Sequence, residues 1–218
     1  MRDATNLRRA LAVYVVTSSG LVPGRSHLDV VRAALEGGAT AIQLRSPELR
    51  DRPRDLVDLA IEAAGLCHAG GVPLIVNDFL DLAGDSDGVH LGQGDQLAGA
   101  RDRLGPARFL GVSVEKPEQA RTAWGIGADY LGVTVFDTAT KPEAEPVGLD
   151  GLREIVGATA LPVVGIGGIN ASNARDVLAA GAAGVAVVSA VGAAPDPVEA
   201  TRELGRVVSE YVGEQNPR

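Results

Sequence analysis

The chain has 218 residues, 45 % of them hydrophobic but only 3 % aromatic, and a net charge of −8. That length supports one sizeable core in a single domain, and the acidic balance argues against a nucleic-acid partner. No apolar run reaches membrane-spanning length, and the single cysteine, Cys67, excludes an internal disulfide and fits a core position in a reducing, cytoplasmic compartment.

Taken in order, the chain alternates strand-like and helix-like segments. Arg8-Arg9 followed by Ala10–Thr17 has the outline of a secretory leader, but the apolar run is short and no clean cleavage site follows. A first strand, Val13–Thr17, accounts for it better. Further strands are expected at Thr40–Arg45, Pro73–Asn77, Gly88–Leu91, Phe109–Val114, Tyr130–Val133, Pro162–Ile166 and Gly184–Val188. Their apolar residues run on without alternating, as in parallel strands buried on both faces. Helical patterns fall at Leu28–Glu36, Arg54–Ala69, Gln96–Leu104, Pro117–Trp124, Leu149–Val156, Ser172–Ala180 and Pro197–Tyr211, with a short turn at Phe79–Ala83. Glycines at 38, 127 and 181 close helices just before strands. Eight strands with crossovers this short predict a single-domain (β/α)8 barrel of the TIM class over residues 1–212, with a disordered tail at 213–218. A doubly wound open sheet would favour a G-x-G-x-x-G turn after the first strand, and Val13–Gly20 lacks one.

In such a barrel the chemistry gathers where strands end. Gln43 and Arg45 flank Leu44 and so share one side of their strand, offering an amide for a heterocycle edge and a fork for phosphate. Asn77-Asp78 ends the third strand, and Asp95 follows the fourth. Two carboxylates in neighbouring loops suit Mg²⁺ bridged to phosphate oxygens, although either could instead cap the helix behind it. Ser113 ends the fifth strand. Thr138, Thr140 and Lys141, one of only two lysines, sit in the long loop 134–148, whose length suits a lid over phosphate. The stretch LPVVGIGGIN ends in Gly167-Gly168, which leaves backbone N–H groups bare for an anion, ahead of an Asn-rich helix start. Val188 and Ser189 lie where the last strand ends, and loops after strands 7 and 8 commonly form a phosphate site. His90 could serve catalysis or simply be a satisfied, partly buried side chain. His27 and His68 read as surface helix residues. No Cys/His cluster has transition-metal spacing.

Six stretches together resemble the thiamine phosphate synthase family: GGATAIQLR, VPLIVND, DGVHLGQGD, LGVSVEKPEQA, GADYLGV with VFDTATKP, and LPVVGIGGINASNARDVLAAGAAGVAVVSAV. They cover nearly the whole chain in the family's order. The resemblance implies a Mg²⁺-dependent transferase that joins a hydroxymethylpyrimidine diphosphate to a thiazole ethyl phosphate and releases pyrophosphate. It places Gln43 on the pyrimidine, Arg45, Asn77 and Lys141 on the diphosphate, and Asp78 and Asp95 on Mg²⁺. Ser113 would face the leaving pyrophosphate, with Arg45, Ser113 and Lys141 as the catalytic set. Thr138, Thr140, Gly168, Val188 and Ser189 would cradle the thiazole phosphate. The implied partners are these small molecules, with no nucleic acid and no membrane; homo-oligomerisation stays open. The chain departs from the pattern at Ser46-Pro47, where the family has an acidic residue and a diphosphate-binding lysine. Arg50 or Arg52 could replace that charge. Phe79 and Glu115 stand where the family often has Arg and His. Because these changes fall on the diphosphate side, the related thiazole tautomerase and a non-catalytic binder of thiazole phosphate or thiamine phosphate are the alternatives.

Overall fold

The computed structural model describes residues 4–215 except Gln96 and Pro142. Eight parallel strands close into one barrel in sequence order: β1 Val13–Val16, β2 Ala41–Leu44, β3 Leu74–Asn77, β4 Gly88–Leu91, β5 Phe109–Ser113, β6 Tyr130–Thr134, β7 Val163–Ile166 and β8 Gly184–Val187. Each strand falls inside its expected range or overruns it by one residue. The circle is closed by β1 against β8, with Val15 opposite Val187.

Among the described residues nine α-helices accompany the strands: α1 Ala4–Ala10, α2 His27–Gly37, α3 Pro53–Ala69, α4 Ala100–Leu104, α5 Pro117–Ala123, α6 Gly148–Gly157, α7 Ala174–Ala179, α8 Ser189–Gly192 and α9 Pro197–Gln215. The sequence pattern did not announce α1 or the single turn α8. The short α1 carries Arg8 and Arg9, the pair that mimics a leader, and leads into Leu11 and β1. The expected start of α4 falls on Gln96, outside the described residues; the helix itself begins at Ala100. Of the tail expected to be disordered at 213–218, residues 213–215 instead continue α9, and 216–218 lie outside the described residues.

Two apolar clusters divide the interior. The larger fills the layer between sheet and helices, with Val15, Ile42, Leu44, Leu74, Val89, Leu110, Leu131 and Val185 facing Val31, Leu56, Cys67, Leu152 and Leu204. The smaller fills the barrel itself, where Leu7 and Leu11 join Tyr14, Ile75, Tyr130 and Val164. Strand alternation sends successive side chains to these two clusters in turn. Cys67 is fully buried, and burial pushes its thiol up to about 12, as expected of an inert core residue. No helix among the described residues is long and apolar enough to cross a membrane.

Candidate active site at the carboxyl ends of the strands

A cavity of about 340 Å³ opens at the C-terminal ends of the strands. Gln43, Arg45, Asn77, Asp78 and Ser113 line one side. Thr138, Thr140, Lys141, Gly168, Val188 and Ser189 line the other. Asp95 borders an adjoining cleft that shares Arg50 and Asp78 with the main cavity. The structure therefore brings all the sequence-derived candidates to one rim, with Asp95 just behind Asp78.

Asp78 sits under strain. It is the one non-glycine with positive φ, +65°, among the described residues. The N–H of Phe79 donates to the carbonyl of Asn77 at 2.9 Å, closing a three-residue turn of the rare positive-φ kind around Asp78. Its own N–H donates to the His90 carbonyl at 2.9 Å. Burial, and then the charge of Asp95, push the Asp78 carboxyl above the usual carboxylate range, against the pull of Arg50 and Arg45. Asp95 does not cap α4, whose N-cap is Gly99; its Oδ2 accepts the N–H of Gly92 at 2.6 Å, and Asp78 pairs with Arg50 at 3.5 Å. Among the described residues no group of three or more His, Cys, Asp and Glu could hold a metal ion.

The Ser46-Pro47 departure has a structural counterpart. Ser46 is buried, and its hydroxyl meets His27 Nε2 at 3.2 Å. The same nitrogen meets Glu48 at 2.8 Å, while His27 Nδ1 meets Thr17 Oγ1 at 2.8 Å. His27 is thus not a surface residue: it is 6 % exposed and ties the loop after β2 to the end of β1. Burial of Glu48 opposes its ionisation, but hydrogen bonds led by that from His27 outweigh it and hold the carboxyl below its ordinary value. From this anchored loop Arg50 reaches the rim, its guanidinium 5.7 Å from the Phe79 ring centroid. Arg52 instead pairs with Asp55 within α3's first turn, at 3.3 Å. His68 is exposed, as expected, 3.1 Å from Asp87.

Across the barrel, the N–H groups of Gly168, Ile169 and Ser189 have no hydrogen-bond acceptor among the described residues and line the cavity. The glycines are required by the neighbouring loop. A Cβ at 168, where φ is +61°, would lie 2.7 Å from the Asp137 carbonyl oxygen; one at 167 would lie 2.8 Å from that of Phe136. The Asn-rich helix start does not cap α7 with a side chain. Asn173 makes no side-chain cap and turns back instead, donating from Nδ2 to the Gly168 carbonyl at 2.9 Å and accepting from the Asn170 N–H at 2.9 Å. It braces the glycine turn. Arg25 does the same for α8, donating to the carbonyls of Gly192 and Ala194 at 2.9 and 2.7 Å.

The cavity floor holds a polar chain that sequence reading did not assemble. Gln43 Nε2 donates to the Tyr14 hydroxyl at 2.8 Å, and the Tyr14 and Tyr130 hydroxyls are 2.9 Å apart. Tyr130 meets His90 Nδ1 at 3.1 Å, and His90 Nε2 meets Ser113 Oγ at 3.0 Å. Gly111 and Gly132 make the room: a Cβ at 111 would lie 2.2 Å from Tyr130 Cζ, and one at 132 would lie 2.9 Å from His90 Cε1. Burial, helped by the charge of Lys141, lowers His90 to about 4, and burial raises both tyrosines.

The chain is thus a closed (β/α)8 barrel with bare amides beside strands 7 and 8 and a carboxylate pair flanked by arginines beside strand 3. The family model for thiamine monophosphate synthase matches residues 13–191, and the chain belongs to that family. It is 50 % identical over 201 residues to the thiamine-phosphate synthase of Chloroflexus aurantiacus, covering 90 % of this chain and 92 % of that one. It is also 50 % identical to the thiamine-phosphate synthase of Moorella thermoacetica, over 92 % of this chain and 97 % of that one. The solved thiamine phosphate pyrophosphorylase of Pyrococcus furiosus superposes with a TM-score of 0.86 at 42 % identity, covering 95 % of this chain and all of that one.

Proposed function

We propose that the barrel is a thiamine-phosphate synthase that couples a hydroxymethylpyrimidine diphosphate to a thiazole ethyl phosphate. The C–O bond between the pyrimidine methylene and the diphosphate breaks, and its electron pair leaves with pyrophosphate. The thiazole nitrogen then uses its lone pair to form the new C–N bond. No protein nucleophile and no proton transfer are needed, which accounts for a rim rich in cations and hydroxyls and poor in acid/base groups. Gln43 reads the pyrimidine edge from the cavity floor. Arg45, Asn77, Lys141 and the relocated Arg50 hold the diphosphate, and Ser113 faces it as it departs. The bare amides around Gly168 and Ser189, with Thr138, Thr140 and Val188, receive the thiazole phosphate. Holding both rings in one enclosed cavity supplies proximity and excludes water.

The Asp78–Asp95 pair fits a hard divalent cation such as Mg²⁺: two neighbouring carboxylates with oxygen donors only, the charge of Asp95 raising the cost of charge on Asp78. When bound, the ion would offset negative charge accumulating on the departing pyrophosphate.

One observation carries this reading over a thiazole isomerase or a thiazole phosphate binder. The rim keeps a carboxylate pair and a repositioned arginine opposite the phosphate cradle, and only a diphosphate substrate has use for them. The test is purified protein with both substrates, following thiamine phosphate with and without EDTA. Chelator-sensitive product is expected. No product, with thiazole phosphate still bound, would overturn the reading in favour of the isomerase or the binder.

A further inference from the structure

The floor of the cavity is an unbranched hydrogen-bonded chain built from five strands: Gln43, Tyr14, Tyr130, His90 and Ser113, with links of 2.8, 2.9, 3.1 and 3.0 Å. Tyr14 and Tyr130 are at most 2 % exposed, and each hydroxyl sits between two hydrogen-bonding partners. Each tyrosine has one proton to give, and a neutral imidazole has one N–H. Counting protons leaves two settings. In the first, the Gln43 amide N–H enters Tyr14, Tyr14 donates to Tyr130, and Tyr130 donates to His90 Nδ1. His90 then carries its proton on Nε2 and gives it to Ser113, whose own O–H is left to donate into the cavity. In the second, Gln43 is turned over and every link reverses, so Ser113 donates to His90 and shows the cavity only lone pairs. A mixed setting either leaves a buried hydroxyl proton without an acceptor or faces the two tyrosine oxygens across 2.9 Å with no proton between them.

We propose that this relay couples Gln43 to Ser113, with Tyr14, Tyr130 and His90 as positioning residues, and that the pyrimidine diphosphate selects the first setting. The inference rests on the synthase reading above. The substrate presents a heterocycle at one end and an anion at the other. Only the first setting aims a Ser113 O–H at anionic oxygens, and it does so with the Gln43 carbonyl, rather than its amide N–H, left free at the other end. The two ends of one substrate are thus read by a single switch-like floor, and a ligand satisfying one end sets the proton direction at the other.

The test combines ¹⁵N NMR of histidine-labelled protein, with magnesium and inorganic pyrophosphate as the probe, and steady-state kinetics. Absence of the signal in His90→Asn identifies the His90 resonances among the three histidines. The expected wild-type ring is protonated on Nε2. Tyr130→Phe removes the donor to Nδ1, so an Nδ1–H population should appear and kcat should fall about tenfold with little change in KM. In a Ser113→Ala background the same substitution should change kcat no further. Tyr14→Phe leaves Tyr130 free to donate, so the tautomer should persist while KM for the pyrimidine diphosphate rises. An Nδ1–H ring in the wild type, or Tyr130→Phe with unchanged tautomer and kcat, overturns the relay. Absence of turnover in the wild type would overturn the synthase reading instead, and the His90 tautomer would still decide the relay.

Discussion

Acidification should unfold this barrel partly through His90, and by an amount the structure fixes. The half-buried ring stays neutral in the folded state down to about pH 4, whereas in the unfolded chain it takes its proton near 6.5. The unfolded state therefore binds more protons than the native one between those values, and stability falls as pH drops through that window. The contribution is complete above 6.5 and stops declining below about 4. Between pH 7 and pH 4.5 it amounts to about 2.5 kcal/mol, and water reaching the ring edge that borders the cavity brings this toward about 2 kcal/mol. Urea unfolding of the wild type and of His90→Asn at both pH values isolates it, because carboxylates such as Glu48 titrate alike in both proteins. The wild type should lose about 2 kcal/mol more than the variant on acidification. Parallel losses would refute the claim that burial and Lys141 keep this imidazole uncharged.

Asp78→Asn should abolish metal-dependent turnover while keeping stability within about 1 kcal/mol, since asparagine also tolerates positive φ; Asp78→Ala should cost about 1–2 kcal/mol more in urea. Near-normal turnover in Asp78→Asn would remove the metal assignment. Arg50→Ala should raise KM for the pyrimidine diphosphate about ten- to a hundredfold, as expected for losing a charge-assisted contact of about 1.5–3 kcal/mol, and Arg52→Ala should leave it unchanged. Equal effects of the two would discard Arg50 as the relocated charge. Gly168→Ala should destabilise the fold by about 1–3 kcal/mol, because its Cβ meets the Asp137 carbonyl rather than open cavity; a wild-type unfolding midpoint would contradict that geometry.

The barrel was legible because parallel strands buried on both faces write largely apolar runs, interrupted within β2 by Gln43 and within β4 by His90. The rim was legible because strand ends carry its polar residues. What escaped reading depended on neighbours distant in sequence. Tyr14 and Tyr130 lie 116 positions apart, and nothing local marks them as partners of His90. His27 looks like an ordinary residue at a helix start; only Thr17, Ser46 and Glu48, brought from two other strand ends, make it a buried anchor. That Arg50 rather than Arg52 approaches Asp78 follows from the loop anchored by that histidine, which spacing alone does not give. α1 and α8 are too short, at 7 and 4 residues, to show a helical period.

Closure of the barrel between its first and last strands has a consequence for how the chain is made. During synthesis, β1 emerges early and gains β2 on one side, but its other edge finds no partner until β8 has left the ribosome. That open edge is the apolar run Val13–Val16, and the later join is tight, since even a methyl group on Gly184 would overlap the Leu11 carbonyl. Nascent chains therefore carry an exposed, sticky strand from the emergence of β1 to that of β8, an interval open to aggregation and to capture by chaperones.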